Sequence, residues 1–339
     1  MVDKTFFGHM IQGEWILKGG ELGPPVTVFA GLLRTWDGRA VWEYMTPDAL
    51  EDNILAAEKM GAETMFVFGR PPASAIRPGS KNVPTADAWG QFVIAMVTNS
   101  AGRIKYWELW NEPEQGGYWD GSPSELVDQC KVAYQIIKEL QPNSIVLSPS
   151  MTELGQSWGA DFTDKFFAAG GGQWCDAIAF HHYSNLPEDF LLDFTILNGI
   201  LKKYGVTKPS YNTEFNFANK DVSIRNAYIA QSLIIQASLG IVGTVYDPET
   251  ELEANDYTDS TMAIVASWLI GATLSPLRID GQWRRVVVSK SGQPDQELFW
   301  IDTSFPVLGS VTPAKKKNYL VPILIAAAIA VVLAFLLLR

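Results

Sequence analysis

The sequence predicts an α/β protein: a (β/α)8 TIM barrel with a small C-terminal β appendage and one C-terminal transmembrane helix. Three observations support this fold class. Apolar, β-branched runs alternate with amphipathic runs, eight such apolar runs precede residue 250, and the chain closes on a long uncharged segment. This alternation is typical of a parallel sheet with crossover helices, and eight strands close a barrel.

The predicted strands are short apolar runs bounded by turn or helix-start residues. They cover residues 5–10, 28–34, 64–68, 104–111, 144–150, 177–183, 210–215 and 241–247. Capping residues mark the helices between them. Thr46-Pro47 opens one helix, which Gly61 ends, and the capping box Ser122-Pro123-Ser124-Glu125 opens another. The last barrel helix is predicted at 260–270, and the stretch between the first two strands shows no clear helix.

The chain divides into four predicted segments. Residues 1–273 form the barrel. Residues 274–303 hold two β-rich runs, WRRVVVS and ELFWID, around a Ser-Gly-Gln-Pro turn, which predicts a β-hairpin appendage. Residues 304–318 are rich in Pro, Gly, Ser, Thr and Lys and are predicted to be a linker. Residues 319–338 are the predicted transmembrane helix.

The transmembrane prediction rests on length and charge. Residues 319–338 read YLVPILIAAAIAVVLAFLLL, without a charge. At about 1.5 Å per residue this helix spans about 30 Å, the thickness of the hydrocarbon core. A buried core helix of this length would show a polar face. The lysines at 315–317 favour a cytoplasmic barrel on a single-pass anchor in the cell membrane, whereas a leader peptide absent from this sequence would make the barrel extracellular.

Composition excludes several classes of protein. Of 339 residues, 47% are hydrophobic and 12% aromatic, which excludes a disordered chain. The net charge of −11 argues against a nucleic-acid partner, because phosphate groups would be repelled. Cys130 and Cys175 have no metal-site spacing, and they are either two separate buried thiols or one disulfide.

Two glutamates end predicted strands of the barrel. Glu112 ends the fourth in YWELWNEPE, and Glu214 ends the seventh in PSYNTEF. Active sites of this fold lie at the C-terminal ends of the strands, and hydrolysis of a glycosidic bond with retention needs two carboxyl groups about 5–5.5 Å apart. The histidines also lie on predicted strands: His9 on the first, and His181 and His182 on the sixth, where alternation predicts opposite faces.

These motifs resemble clan A of the glycoside hydrolases. WNEP follows an apolar strand, H-x-Y lies two strands later, and a glutamate ends the seventh strand. Further matches make the chain similar to family 39 and to related bacterial cellulase-like or exopolysaccharide hydrolases. They are LLRTWD, AWGQFV, GRIKYWELWNEP, YWDGS and SWLIGA, and the likeness covers roughly residues 5 to 303.

The resemblance implies roles for individual residues. Glu112 is the expected acid/base and Glu214 the expected nucleophile. Arg34 would hold the pKa of Glu214 low, and Asn111 would contact the hydroxyl next to the reacting carbon. His181 and Tyr183 of the H-x-Y pair would bond the substrate or orient Glu214. The other expected substrate contacts are Trp36, Trp110 and Trp119 as a sugar-stacking wall, and Tyr246.

Two departures from the family pattern leave an alternative open. The stretch GRPPASA after the third strand lacks an expected tryptophan, and Tyr246 stands where many members place another. The expected function is a retaining glycoside hydrolase for β-linked oligo- or polysaccharide that needs no metal or cofactor. The alternative is a catalytically idle barrel that binds carbohydrate or serves as a structural subunit of a membrane assembly. In either case the C-terminal helix would contact the lipid bilayer.

Overall fold

Eight parallel strands form one continuous sheet, one from each predicted run. In chain order they are β1 (Phe7–Gln12), β2 (Leu32–Trp36), β3 (Glu63–Val67), β4 (Ile104–Glu108), β5 (Ile145–Leu147), β6 (Ile178–Ser184), β7 (Ser210–Phe217) and β8 (Gly243–Tyr246). Hydrogen bonds order them β5-β4-β3-β2-β1-β8-β7-β6. Isolated parallel bridges, Leu147 to Ala177 and Met151 to Phe180, join the two ends of this order, so the sheet closes into the predicted barrel.

The structure is a computed structural model. It describes residues 1–12, 16–23, 30–36, 42, 45–217, 221–248 and 258–310. Within these ranges no helix is long and apolar enough to cross a membrane. The predicted transmembrane segment at 319–338 lies outside the described residues. Its assignment therefore stays a prediction.

Helices cover the outside of the barrel. Within the described ranges the longer ones are α1 (Pro47–Met60), α2 (Ala86–Asn99), α3 (Pro123–Leu140), α4 (Ser157–Ala168), α5 (Phe190–Lys203), α6 (Val222–Ser238) and α7 (Thr258–Leu269). Thr46 caps α1, which ends at Gly61 with a φ of 61°, and the capping box of Ser122 and Glu125 opens α3, both as predicted. A two-residue antiparallel pair, Ile16–Leu17 with Glu21–Leu22, lies between β1 and β2.

The strands alternate between two apolar layers. The barrel interior is filled by small and medium side chains with two tyrosines: Met10, Leu32, Met65, Val67, Tyr106, Leu147, Ala177, Ala179, Tyr211 and Val245. Their sequence neighbours, such as Leu33 and Phe180, pack under the helices. Polar residues two positions beyond an interior residue therefore point into the barrel mouth.

The appendage is larger than the predicted hairpin. Its five strands are β9 (Ala272–Leu274), β10 (Arg278–Asp280), β11 (Trp283–Lys290), β12 (Gln296–Ile301) and β13 (Val307–Ser310). Strands β11 and β12 form the predicted hairpin. The prediction of a linker at 304–318 is wrong for its first part, where the chain forms strand β13. This strand pairs with Phe299 to Gln296 of β12 and extends the sheet to Ser310.

The appendage shares a core with the barrel. Leu298 and Trp300 belong to the same apolar cluster as the residues beneath the barrel helices. The side-chain amide of Gln231 on α6 donates to the carbonyl oxygens of Asp302 at 2.7 Å and Ser304 at 2.8 Å. Barrel and appendage are therefore packed against each other through both apolar contacts and hydrogen bonds.

Both cysteines are buried free thiols. Cys130 lies on α3, and Cys175 lies shortly before β6. Burial raises the pKa of Cys175 to about 12 and the pKa of Cys130 well above its ordinary value. Of the two alternatives from the sequence, the structure has the separate thiols.

Candidate active site

Two carboxyl groups and an imidazole meet at the C-terminal mouth of the barrel. Oxygens of Glu112 and Glu214 and a ring nitrogen of His181 all lie within 4.8 Å of one another. Nδ1 of His181 is 2.9 Å from Oε1 of Glu112 and 3.4 Å from Oε2 of Glu214. The structure thus brings the two predicted catalytic residues and the predicted histidine together at the end where this fold builds its active sites.

Glu112 lies beyond the end of β4 in a strained backbone conformation. Its φ is 41°, in the left-handed region that residues with a Cβ rarely adopt. Its N–H donates to the carbonyl oxygen of Ser150 at 3.0 Å, and Asn111 forms a parallel bridge with the same residue. Strain that is held in this way by a neighbouring segment is common at functional sites. The carboxyl group of Glu112 lies close to that of Glu214.

A β-bulge at Thr213 aims Glu214 into the barrel. Strands β6 and β8 both pair with Asn212 and then with residues past Thr213, so Thr213 is skipped. Tyr211 points to the barrel interior, and strict alternation from it would send Glu214 outward. One extra residue in the strand reverses that direction.

Arg34 on β2 is a fully buried cation beside Glu214. Its Nη1 donates to Oε1 of Glu214 at 2.5 Å, and its Nη2 donates to Oδ1 of Asn111 at 2.9 Å. Nε and Nη2 also donate to the two oxygens of Glu108, at 3.1 and 2.7 Å. Burial by itself would lower the pKa of Arg34, but the charges of Glu108 and Glu214 outweigh it and raise the pKa. The guanidinium is a permanent positive charge against Glu214.

His181 and Tyr183 occupy the same face of β6. The hydroxyl oxygen of Tyr183 is 2.5 Å from Oε2 of Glu214 and 2.7 Å from Oδ2 of Asp247. Burial alone would raise the pKa of Glu214, but the charges of His181 and Arg34 and the Tyr183 hydroxyl hold it below the ordinary value. The pKa of His181 is raised, because the charge of Glu214 and the hydrogen bond with Glu112 outweigh burial. Glu214 is therefore ionised at neutral pH.

Glu108 and Asp247 belong to the site although the sequence did not single them out. Glu108 binds Arg34 and accepts a hydrogen bond from Oγ of Ser150 at 2.7 Å. Glu108 is the last residue of β4 and follows the interior residue Tyr106 by two positions, and this spacing could have revealed it. Asp247 follows the interior residue Val245 by two positions, so alternation turns it into the mouth.

Glu114 is a third acidic residue that sequence reasoning missed. Burial, with a smaller effect of the charge of Glu112, raises its pKa to about 8. The backbone N–H of Thr152 donates to one oxygen of Glu114, and the other oxygen has no partner among the described residues. At neutral pH this carboxyl group is mostly protonated.

The structure corrects two predicted substrate contacts. Trp119 is 3% exposed; its ring packs edge-on against the buried Trp110, and its indole N–H donates to the carbonyl oxygen of Ser122 at 3.3 Å. Tyr246 is 0% exposed and packs against Phe215, because it lies on the face of β8 that is turned to the helices. Neither ring is offered to a sugar, and Trp110 is buried as well.

The two remaining histidines face away from the carboxyl pair. His9 is buried, its Nδ1 lies 2.7 Å from the carbonyl oxygen of Met10, and burial lowers its pKa to about 4, so it is uncharged at neutral pH. Nδ1 of His182 is 2.8 Å from Oδ2 of Asp193 on α5. His182 and His181 therefore point to opposite faces of β6, as alternation predicted.

Two further predicted contacts lie at strand ends. The backbone of Trp36 ends β2, while its side chain lies outside the described residues. Asn111 is buried and its Oδ1 accepts from Arg34, which leaves its amide nitrogen as the group that can meet a substrate hydroxyl.

A cavity of about 250 Å³ opens beside Tyr183 and is lined by polar residues including Gln156 and Asn185.

Glu112, His181 and Glu214 also form the set that could hold a metal ion in the described part of the chain. Two groups of this set already have partners within the protein. Glu214 binds the Arg34 cation, and Nδ1 of His181 is hydrogen-bonded to Glu112. Hydrolysis of a glycosidic bond needs one carboxyl group that transfers a proton and a second, ionised one that attacks the sugar. The arrangement of Glu112 and Glu214 suits both roles.

A sequence profile for the glycosyl hydrolase catalytic core matches residues 43–237, more than half of the chain. No curated protein matches the chain in sequence.

Several solved glycoside hydrolases share the fold. A family 39 glycoside hydrolase from the gut symbiont Bacteroides cellulosilyticus WH2 matches with a TM-score of 0.61 and 20% identity, over 80% of this chain and 65% of its own. A glucosidase from Croceicoccus marinus matches with a TM-score of 0.62 and 14% identity, over 85% and 76%. A family 39 β-xylosidase from Caulobacter crescentus matches with a TM-score of 0.56 and 15% identity, over 86% and 79%. The chain spans only 65% of the length of the first of these proteins, and identities this low show the fold alone.

Proposed function

The chain belongs to the glycosyl hydrolase catalytic core family, and we propose that it is a retaining glycosidase for β-linked oligo- or polysaccharide. One observation carries the proposal: oxygens of Glu112 and Glu214 lie within 4.8 Å of each other. Retaining enzymes hold their carboxyl groups about 5–5.5 Å apart, whereas inverting enzymes leave about 6.5–9.5 Å for a water molecule. The short separation supports direct attack by one carboxylate on the sugar.

In the first step Glu214 is the nucleophile and Glu112 the acid. A carboxylate oxygen of Glu214 forms a bond to the anomeric carbon while the glycosidic bond breaks, and Glu112 gives its proton to the departing oxygen. Arg34 and His181 keep Glu214 ionised before attack. The 2.9 Å contact between Nδ1 of His181 and Oε1 of Glu112 fixes the position of the acid's carboxyl group.

In the second step the roles of Glu112 and Glu214 change. Glu112, now ionised, takes a proton from water, and the water oxygen attacks the anomeric carbon. The bond to Glu214 breaks and its carboxylate returns to the Arg34 guanidinium. The attack by Glu214 and the attack by water come from opposite faces of the sugar, and each inverts the anomeric carbon. The two inversions together retain the anomeric configuration.

The substrate is proposed to bind at the same mouth of the barrel. The amide nitrogen of Asn111 is the proposed donor to the hydroxyl next to the reacting carbon, and Trp36 at the end of β2 remains a proposed contact. The β-linkage is supported by the resemblance of the motifs and by the β-xylosidase among the structures that share the fold.

The test is a screen of the full-length chain against aryl β-glycosides and polysaccharides. We expect release of product by the wild type and none by Glu214→Gln. Saturable carbohydrate binding without product, equal in both proteins, would contradict the proposal and favour an idle barrel.

A further inference from the structure

The hydroxyl group of Tyr183 lies between two carboxyl groups. Its oxygen is 2.5 Å from Oε2 of Glu214 and 2.7 Å from Oδ2 of Asp247. A phenol carries one hydrogen, so it donates to only one carboxylate at a time. The other short oxygen–oxygen contact needs a hydrogen of its own, because oxygens at this distance without one repel each other. One of the two carboxyl groups must therefore be protonated.

The surroundings assign that proton to Asp247. Glu214 accepts a hydrogen bond from Arg34 at 2.5 Å and lies 3.4 Å from Nδ1 of His181, so its ionised form is neutralised. Asp247 is 8% exposed; within the described ranges its side chain bonds only Tyr183, and its Oδ1 has no partner. A buried carboxylate without a cation in contact is costly and takes up a proton instead.

The charged and titratable groups that face Asp247 come from three other strands. They are Tyr183 and His181 on β6, Glu214 on β7 and Arg34 on β2. Burial and the negative charge of Glu214 raise the pKa of Asp247 to about 7, against smaller opposing effects of the other three. The neutral form therefore dominates below about pH 7 and is lost as the pH rises through it.

We propose that Asp247 is a positioning residue that acts through Tyr183: its protonated carboxyl group donates to the Tyr183 oxygen and so directs the phenolic hydrogen to Oε2 of Glu214. The inference rests on the proposed role of Glu214 as nucleophile. When Asp247 ionises, its carboxylate competes with Glu214 for the phenolic hydrogen of Tyr183. The nucleophile then loses a donor that fixes its orientation, and turnover falls on the alkaline side.

The test is the pH dependence of kcat for the full-length wild type and variants. Asparagine keeps an N–H donor toward Tyr183 at every pH, so the alkaline loss of kcat in Asp247→Asn should move upward by about one pH unit or more. In a Tyr183→Phe background the connection is broken, and adding Asp247→Asn should give the same pH profile as Tyr183→Phe alone. An alkaline limb that does not move in Asp247→Asn, or a shift that persists without the phenol, overturns the proposal.

A matched control lies at the other end of the barrel. Oδ1 of Asp176, which precedes β6, accepts from the hydroxyl of Tyr134 at 3.1 Å. Asp176→Asn therefore replaces a carboxyl group by an amide beside another tyrosine, away from the carboxyl pair, and also removes an ion pair with Lys138. We expect it to have the wild-type pH profile. An equal displacement of the alkaline limb in this variant would show that the effect is not specific and would overturn the proposal.

A second measurement needs no substrate. In infrared difference spectra between about pH 6 and about pH 8, the C=O stretch of protonated Asp247 should appear in the wild type and be missing from Asp247→Asn. Glu114 contributes a band of its own to both proteins, so the comparison between them is decisive. Identical spectra would overturn the proposal. The expected difference without turnover of any substrate would support the placement of the proton and contradict the proposed function instead.

Discussion

Arg34 sets the charge balance of the site at the scale of single residues. It lies between Glu108 and Glu214, both buried, and donates hydrogen bonds to each. Buried charges are tolerated only when they are paired and hydrogen-bonded, and removing one partner leaves the other uncompensated. The arrangement keeps Glu214 ionised in a position where burial alone would protonate it.

Replacement of this cation should destabilise the fold. We expect Arg34→Met to lower the free energy of unfolding by about 3–5 kcal/mol near pH 7, because two buried carboxylates lose their partner. The deficit should shrink as the pH falls, since Glu214, whose pKa Arg34 helps to hold low, becomes protonated in the folded and the unfolded chain. Chemical denaturation at several pH values measures it.

The control for this substitution is Arg77→Met. Arg77 pairs with Glu125 where both side chains are more than a third exposed, at 39% and 38%. Solvent screens such a pair, so only a small loss of stability is expected. Equal losses for the two arginines, or a deficit of Arg34→Met that grows toward low pH, would contradict the account.

The two proposed catalytic carboxyl groups predict different kinetic defects. Glu214→Gln should abolish turnover, because an amide cannot form the glycosyl-enzyme. Glu112→Ala should lose less on substrates with activated leaving groups, which need no proton, and azide should restore its activity by forming a glycosyl azide. Glu139→Gln, an exposed change on α3, is the control. Wild-type rates in both site variants would sink the assignment.

At the scale of elements, strand alternation decides which polar residues reach the mouth. Tyr183 on β6 points into the barrel and Tyr246 on β8 points to the helices. The same substitution at the two positions should therefore have unlike effects. Tyr183→Phe should lower kcat/KM by about 10- to 100-fold, since it removes a hydrogen bond to a charged group, worth about 1.5–3 kcal/mol.

Tyr246→Phe is the matched variant for this prediction. Its ring is buried against Phe215, so its kcat/KM should stay within about threefold of the wild type. Steady-state kinetics on one aryl glycoside compare the two proteins. A larger loss in Tyr246→Phe than in Tyr183→Phe would mean that the face of β8 is assigned wrongly.

The ends of the strands could be predicted from the sequence better than the face of the sheet to which each side chain points. Glu112 and Glu214 could be found because catalytic groups of this fold follow strand ends, whatever the register. Tyr246 was predicted and its neighbour Asp247 was not, because only one of two adjacent residues can face the mouth and the sequence did not show which. The bulge at Thr213 reverses the direction of Glu214 without any local sequence pattern that reveals it.

At the scale of the whole molecule, the described part of the appendage reaches Ser310. Strand β13 pairs with β12 and therefore lies inside the folded unit. We expect a chain truncated after Ser310 to unfold cooperatively at the melting temperature of the full chain. A chain truncated after Thr303 loses β13, leaves β12 with an unpaired edge and should melt lower. Equal melting temperatures for the two truncations would show that β13 adds nothing.

The predicted membrane anchor remains a proposal that concerns the part of the chain beyond Ser310. An uncharged stretch of this length can cross a bilayer because a helix satisfies its own backbone hydrogen bonds. We expect alkaline carbonate to leave the full-length protein in the membrane fraction and to release a chain truncated after Ser310. Release of the full-length protein would refute the span. Protease added to intact cells would digest the barrel only if it lies outside, against the lysine bias.

The most direct test of the central claim is the configuration of the first-formed product. Nuclear magnetic resonance can follow the anomeric proton of the sugar released from a β-linked substrate before mutarotation. Because Glu112 and Glu214 have the short separation of retaining enzymes, we expect the β-anomer to appear first and the α-anomer only later. First appearance of the α-anomer would contradict the double displacement at Glu214.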